Sequence, residues 1–295
     1  MKTQTKGNSD SSKTAVVTGA TSGLGRAAAE ALAQRGFRVI LVGRDAARGA
    51  EAVAEIRAAG GRAELVLGDL MTVAGAQAIA AEILERAPRL ELLVNNAGGA
   101  FNRDERTIDG LERTFALNVL APFVLTEALM PALAAARGRV VNVVTAVSAG
   151  SKTTIDAIAG AKAQPGMQSY VRNKLALVTL TIELQRRYGA RGVSFASLHP
   201  GVIPGTRFGS DSPGLMMKIG PVIAKLLRIT SSLDEAAARF VQVGTGEVEA
   251  GGFYYEGTLR EAPRQAQDPE FAASLRATLE GLRAHEPADQ ERMAS

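Results

Sequence analysis

Tyr170 and Lys174 stand four residues apart in the run Tyr170-Val171-Arg172-Asn173-Lys174. On a helix these positions share one face, so a phenolic hydroxyl would lie beside an ammonium group. A free phenol has a pKa of about 10 and exchanges protons poorly at neutral pH unless a nearby positive charge stabilises its anion. The spacing therefore predicts a tyrosine tuned for proton transfer, with Lys174 as the source of charge. Two residues of common types make a weak motif alone, and its weight comes from the elements around it.

The first of these is a short apolar, β-branched run, Thr14-Ala15-Val16-Val17-Thr18, followed by Gly19-Ala20-Thr21-Ser22-Gly23-Leu24-Gly25 and the helix-forming residues 26–33. Glycines permit a tight turn and close approach of the backbone to a pyrophosphate, whose charge the free N–H groups of a helix N-terminus then meet. The plain alternative is an ordinary strand-to-helix turn. Agreement of strand, loop and helix predicts a dinucleotide site at Gly19, Thr21, Ser22, Gly23, Leu24 and Gly25. The next strand, expected at 37–42, ends in Gly43-Arg44-Asp45, where such folds read the ribose. An acid there would bind the 2'-hydroxyl of NAD, whereas arginine accommodates the 2'-phosphate of NADP. Arg44 thus predicts NADP(H) over NAD(H). Otherwise Arg44 is a solvated residue and Asp45 caps the following helix. With such a cofactor, proton transfer at Tyr170 would accompany hydride transfer.

Apolar strands alternate with Ala-rich helical patterns along the chain: strand 63–67 and helix 74–86, strand 90–94 and helix 111–135, strand 139–144 and helix 170–188, then strand 193–198. This rhythm predicts an α/β fold, a Rossmann doubly wound parallel sheet of about seven strands with helices on both faces. Ser232-Leu233-Asp234-Glu235 reads as a capping box before an edge strand at 252–255. Asp268-Pro269 opens a helix carrying Phe271, Leu275, Leu279 and Leu282. At 295 residues and 46% hydrophobic, the chain can bury one substantial core. One domain is expected at 14–284, between a disordered N-terminus, 1–13, and a flexible C-terminus, 285–295.

The net charge of +4 comes without a block of like charge, which argues against a nucleic-acid partner. The chain has no cysteine, which excludes disulfides and thiol chemistry. The two histidines, His199 and His285, are too separated to suggest a metal site. The polar N-terminus lacks an apolar leader and no apolar run reaches about 18 residues, so a cytoplasmic protein without a membrane span is expected.

From about residue 14 to 174, and more loosely to 255, the chain resembles the short-chain dehydrogenase/reductase family. The matching pieces are Thr18-Gly19-(three residues)-Gly23-Leu24-Gly25, Asp69-Leu70, Asn95-Asn96-Ala97-Gly98, Asn118, the Tyr170 and Lys174 pair, and Pro200-Gly201. The run Thr107-Ile108-Asp109-Gly110-Leu111-Glu112 before Phe115 and Asn118, with Leu198-His199-Pro200-Gly201, looks like the retinol-dehydrogenase and protochlorophyllide-reductase-like branch.

The resemblance implies that Tyr170 is the general acid in carbonyl reduction and the base in the reverse reaction. Lys174 would lower its pKa and hold the nicotinamide ribose, and Asn118 would support a water-linked proton relay. Asp69 would accept a hydrogen bond from the adenine amino group. Leu70, Asn96, Ala97, Gly98, Pro200 and Gly201 would line the cofactor, with Thr206 near the nicotinamide carboxamide. Two of these have a plainer reading: Asp69 as the cap of the next helix, Asn118 as a satisfied core polar group.

Three departures stand out. Thr145 occupies the place of the family's usual serine; it can donate the same hydrogen bond, but its methyl stiffens χ1 and crowds the substrate. It can also be simply a strand-end residue, with Ser148 as the fallback donor. The stretch 149–169 is longer than the shortest family members need and is expected at the mouth of the substrate cleft. Thr206 comes five residues after Gly201 rather than four.

The apolar segment 202–230 is expected to form a substrate lid and points to a hydrophobic substrate, or else it contains a helix packed on the core. The expectation is an NADP(H)-dependent oxidoreductase interconverting a carbonyl and an alcohol on a hydrophobic small molecule. The alternative is a nucleotide-sensing or partner-binding Rossmann protein with weak or no catalysis. Dimers and tetramers are common in the family and monomers occur in this branch, which leaves homo-oligomer formation open.

Overall fold

A computed structural model describes residues 13–147, 152–160, 165–203 and 231–284. Ser148, Thr206, positions 204–230 of the expected lid and the termini at 1–12 and 285–295 lie outside the described residues.

Eight strands form one sheet: β1 (Thr14–Thr18), β2 (Arg38–Gly43), β3 (Arg62–Leu67), β4 (Leu92–Asn95), β5 (Arg139–Val143), β6 (Ser194–His199), β7 (Phe253–Tyr255) and β8 (Thr258–Arg260). Their order is β3-β2-β1-β4-β5-β6-β7-β8. All pairings are parallel except β7 with β8. Alternate residues of β1 enter opposite cores: Val16 packs on one face with Ile40, Leu93 and Phe195, while Ala15 and Val17 pack on the other with Leu41, Val94 and Phe240. Burial on both faces is why the strands read as continuous apolar runs rather than alternating ones.

Among the described residues the sheet has eight strands, against the expected about seven, and the expected edge strand is the penultimate one. A two-residue turn, Glu256 (φ 51°) and Gly257 (φ 82°), folds β8 back on β7. Positive φ at both positions is the mark of the tight hairpin turn that matches strand twist. The three residues of β8 are all exposed and carry no apolar signal.

Among the described residues the α-helices are α1 (Gly23–Gln34), α2 (Ala46–Ala58), α3 (Val73–Arg86), α4 (Arg113–Phe115), α5 (Ala121–Ala136), α6 (Ile155–Ala159), α7 (Met167–Tyr188), α8 (Leu233–Thr245) and α9 (Pro269–Ala284). The helix expected at 111–135 is present as one continuous run, Arg113–Ala136, in which a π-helical turn, Ala116–Leu120, joins α4 to α5. By length and composition Arg113–Ala136 is apolar enough to cross a membrane, but 67% of its apolar window is buried inside the fold. It serves as a core helix here.

The capping box at Ser232 and Glu235 opens α8 with both reciprocal bonds present. Helix α9 buries Leu275 and Leu279, with Phe271 and Leu282 packed beside them. Arg276 pairs with Glu183 and Arg187 with Glu280. Such exposed pairs contribute about 0–1 kcal/mol each, so the apolar face is what holds α9 against α7.

Candidate functional site

Strand order reverses between β1 and β4, and the carboxyl ends of the strands open there into a crevice, the place where open α/β sheets bind ligands. A cleft of about 380 Å³ occupies it. The glycine loop forms one wall. Gly19 (φ 66°) and Gly23 (φ 54°) adopt left-handed backbone, which only glycine enters without strain. Gly25 is closed in: a Cβ there would lie 2.4 Å from Asn96 Nδ2 and 2.4 Å from the Gly19 carbonyl oxygen. Thr18 Oγ1 accepts from the backbone N–H groups of Asn96 (3.0 Å) and Ala97 (2.9 Å), lacing the β1 and β4 loops together. Ser22, at the N-cap of α1, makes no side-chain capping bond, so no side chain there competes with a ligand for the first-turn N–H groups.

Gly25→Ala is therefore expected to weaken dinucleotide binding at least about tenfold and to lower the thermal midpoint, because overpacking against backbone costs about 1–3 kcal/mol. Cofactor titration and thermal melts of the variant check this.

Gly43, Arg44, Asp45 and Arg48 line the far end of the cleft. Asp45 caps α2, accepting from the Arg48 N–H at 3.0 Å, and its carboxylate pairs with the Arg48 guanidinium at 2.5 Å. These bonds, first the backbone one, hold Asp45 below the usual carboxylate range. Sequence reasoning overlooked Arg48. Its position one helical turn after Arg44 was the available signal.

Asp69 and Leu70 also line the cleft. Asp69 is not the cap of α3, contrary to its plainer reading. It accepts from the Met71 N–H at 3.0 Å, while Thr72 caps the helix through Gly75 N–H at 3.0 Å.

Tyr170, Lys174, Val143 and residues 96–101 form the near end. Lys174 is 3% exposed, donates from Nζ to the Val143 carbonyl at 2.7 Å and lies 5.4 Å from the Tyr170 ring centroid. Burial pushes the lysine down to about 7. Burial also pushes the Tyr170 phenol upward, opposed by a hydrogen bond with the Thr145 side chain. Desolvation thus governs both groups, and the acidification expected from Lys174 is not among the causes acting on Tyr170.

Asn118 lies on the π turn and is wholly buried. Its Nδ2 donates to the carbonyls of Gly99 (2.8 Å) and Thr114 (2.7 Å), and its Oδ1 accepts from Gly99 N–H at 3.3 Å. It is a satisfied core group that also sits beside the site: a Cβ on Gly98 would be 2.6 Å from Asn118 Oδ1 and 3.2 Å from Lys174 Nζ. Pro200 and Gly201 are not among the residues lining the cleft. Arg239 Nη1 brackets them instead, donating to the Pro200 carbonyl at 2.7 Å and to Ser231 Oγ at 2.6 Å. The cleft also takes in Gly99, Ala100, Phe101 and Leu117, which carry no motif.

The sequence model of the family described as short chain dehydrogenase matches residues 13–213. Polyprenol dehydrogenase of Mus musculus is 40% identical over 200 residues, covering 65% of this chain and 60% of that protein, so the match spans less than two thirds of its length. Retinol dehydrogenase 13 of Homo sapiens is 31% identical over 290 residues, covering 92% of this chain and 86% of that protein. Among solved structures, a blue fluorescent protein from a metagenomic library, in complex with NADPH, matches with a TM-score of 0.65 at 27% identity, covering 82% of this chain and 95% of that one. A short chain dehydrogenase from Burkholderia cenocepacia, in complex with NADP, matches with the same TM-score of 0.65, identity of 27% and coverage of 82% and 95%. Sequence match, sheet order and cleft agree, and the chain belongs to the short-chain dehydrogenase/reductase family of oxidoreductases, in its retinol-dehydrogenase-like branch.

Proposed function

We propose that the protein is an NADP(H)-dependent oxidoreductase that interconverts a carbonyl and an alcohol on a hydrophobic small molecule, with Tyr170 as general acid and base. The observation that carries this reading is one cleft lined by the glycine cradle at one end and by Tyr170 and Lys174 at the other. The residues fit a dinucleotide: Gly25 lets the loop close tightly against Asn96 and Gly19, and the uncapped start of α1 leaves N–H groups for a pyrophosphate. Arg44 and Arg48 would receive a 2'-phosphate, Asp69 the adenine, and Lys174 the nicotinamide ribose. Bound there, NADP(H) supplies the hydride chemistry. Tyr170 gives its proton to the substrate oxygen in reduction and takes it back in oxidation. Thr145, hydrogen-bonded to Tyr170, holds the same oxygen, and Asn118 supports the path that returns a proton through Lys174. Residues 14–284 act as one domain in this reading.

The names of the relatives, a polyprenol and a retinol dehydrogenase, support a long apolar alcohol or aldehyde as the substrate. The test is a spectrophotometric panel of retinal, decanal, benzaldehyde and cyclohexanone with NADPH and NADH, and of the matching alcohols with NADP and NAD. Turnover faster with NADPH than with NADH is expected. Tight NADPH binding without turnover of any member would favour the rival reading, a nucleotide-binding protein with weak catalysis, for which Thr145 in place of serine is the motive.

Arg44 carries the cofactor preference. A hydrogen bond to a charged group contributes about 1.5–3 kcal/mol, or roughly a tenfold to 150-fold change in affinity. Arg44→Ala is expected to weaken NADPH by about that factor and NADH by less than about twofold. Equal losses for both cofactors would remove Arg44 from 2'-phosphate recognition.

A further inference from the structure

Helix α7 carries Tyr170 in its first turn, yet that turn lacks the usual means of holding a helix start. Gly166, at the N-cap, has no side chain to bond the orphan N–H groups, and the first turn contains no acidic residue. An uncapped start frays, and the N-terminal end of the macrodipole stays unmet. Tyr170 sits only three residues beyond Met167, where α7 begins.

The Gly166 backbone N–H donates to the Phe101 carbonyl at 2.6 Å, and a side-chain tie comes from another element. Glu112 is 2% exposed, and its carboxylate accepts from the Thr114 N–H at 2.8 Å and the Phe115 N–H at 3.0 Å, capping α4. Its Oε2 also accepts from Ser169 Oγ at 3.1 Å. Ser169, 1% exposed, in turn accepts from Asn173 Nδ2 at 3.2 Å. The bonds run in one direction, from Asn173 through Ser169 to a carboxylate that also starts the turn presenting Asn118. All three partners of Glu112 are donors, so only a two-oxygen acceptor serves them together.

We infer that Glu112 is a positioning residue: through Ser169 it supplies the side-chain anchor that the N-cap of α7 lacks, and so holds the Tyr170 hydroxyl in register with Thr145. This rests on the assignment of Tyr170 as general acid and base. Released from the anchor, the first turn of α7 frays and the phenol loses its alignment, while the glycine cradle across the cleft is untouched.

The test uses the full chain with Ser169→Ala, Glu112→Gln, the double variant, Ser169→Thr and, as a control, Tyr170→Phe. Ser169→Ala keeps the cap of α4 intact, so it remains informative if Glu112→Gln does not fold. Hydrogen exchange of peptides covering 167–174 is read beside kinetics with NADPH and the fastest-reacting aldehyde of the panel above. Both single variants are expected to exchange these amides at least about tenfold faster and to lose about tenfold in kcat, with KM for NADPH within about twofold. The double variant is expected to lose little more than either single one, because the residues act as a unit. Ser169→Thr restores both readouts. In the reverse reaction the alkaline rise of alcohol oxidation moves to lower pH in Ser169→Ala, since a frayed first turn hydrates the phenol and relieves the burial that is the larger influence on the Tyr170 pKa.

Exchange at the wild-type rate, or faster exchange with unaltered kcat and pH profile, would overturn the proposal. Full turnover by Tyr170→Phe would overturn the assignment of Tyr170 and with it any need for an anchor. That failure is distinguishable, because the exchange data report the anchor itself without reference to catalysis.

Discussion

Tyr170→Phe is expected to slow turnover by about 10²–10⁴-fold, the usual range for a lost general acid or base, while NADPH affinity changes by less than about twofold. The variant removes one oxygen and keeps the ring, which fills its place beside Lys174 Nζ, 5.4 Å from the ring centroid. The pH dependence gives a second, independent sign. Burial raises the Tyr170 pKa above its ordinary value, so the phenol stays protonated through neutral pH. Reduction needs that proton, and its rate should be nearly level across neutral pH and fall only toward alkaline pH. Oxidation needs the phenolate, whose fraction grows about tenfold per pH unit below the pKa, so its rate should climb with pH. Residual turnover of Tyr170→Phe should show neither trend. Pre-steady-state rates in both directions from about pH 6 to 10 check this, and an oxidation rate indifferent to pH in the wild type would argue against Tyr170 as the base.

What the sequence made legible was what local geometry enforces. The glycine loop is readable because its constraints, a left-handed Gly19, a left-handed Gly23 and a Gly25 with no space for a Cβ beside the Gly19 carbonyl, act within a strand, a turn and a helix that are contiguous in the chain, although Asn96 closes in on Gly25 as well. The capping box at Ser232 and Glu235 is readable for the same reason. Strand β8 escaped because its three exposed residues gain their place from a turn, not from an apolar pattern. The π turn escaped because it lies inside a mostly apolar helical run and is itself interrupted only by Asn118, and the periodicity of such a run says how much is buried but not how many residues each turn holds.

At the site, residue types and spacing placed Tyr170 beside Lys174, but the sign of their pKa shifts depends on desolvation, which no spacing encodes. Ser169 and Glu112 are 57 positions apart, so their bond exists only once α4 has packed against α7. Arg48 was missed because its position over the cleft follows from the Asp45 cap that holds it.

Lys174→Met should separate what the site needs from what the fold prefers. Turnover is expected to fall at least about 10²-fold, with weaker NADPH binding, because the variant loses the donor proposed to serve both the ribose and the proton path. Stability is expected to move the other way. Lys174 is 3% exposed, and burial brings its pKa down to about 7, against about 10.4 in an unfolded chain. Between those values the unfolded state binds more protons than the folded one, so the lysine makes stability rise with pH across that window. Below about pH 7 both states carry the proton, and the cost of burying the ammonium is present in full. Methionine fills similar space without a charge and forfeits the ammonium's hydrogen bond to the Val143 carbonyl, a charge-assisted loss of about 1.5–3 kcal/mol that offsets part of the relieved burial cost. The variant should therefore match or exceed the wild-type thermal midpoint at pH 6, with the difference shrinking as pH rises toward 10. Paired thermal melts from pH 6 to 10 measure it, and since all other ionisable groups are common to both proteins, the difference isolates Lys174. A methionine variant that melts well below the wild type at pH 6 would show that the ammonium supports the fold, whereas the expected result marks Lys174 as a group kept for chemistry at the expense of stability.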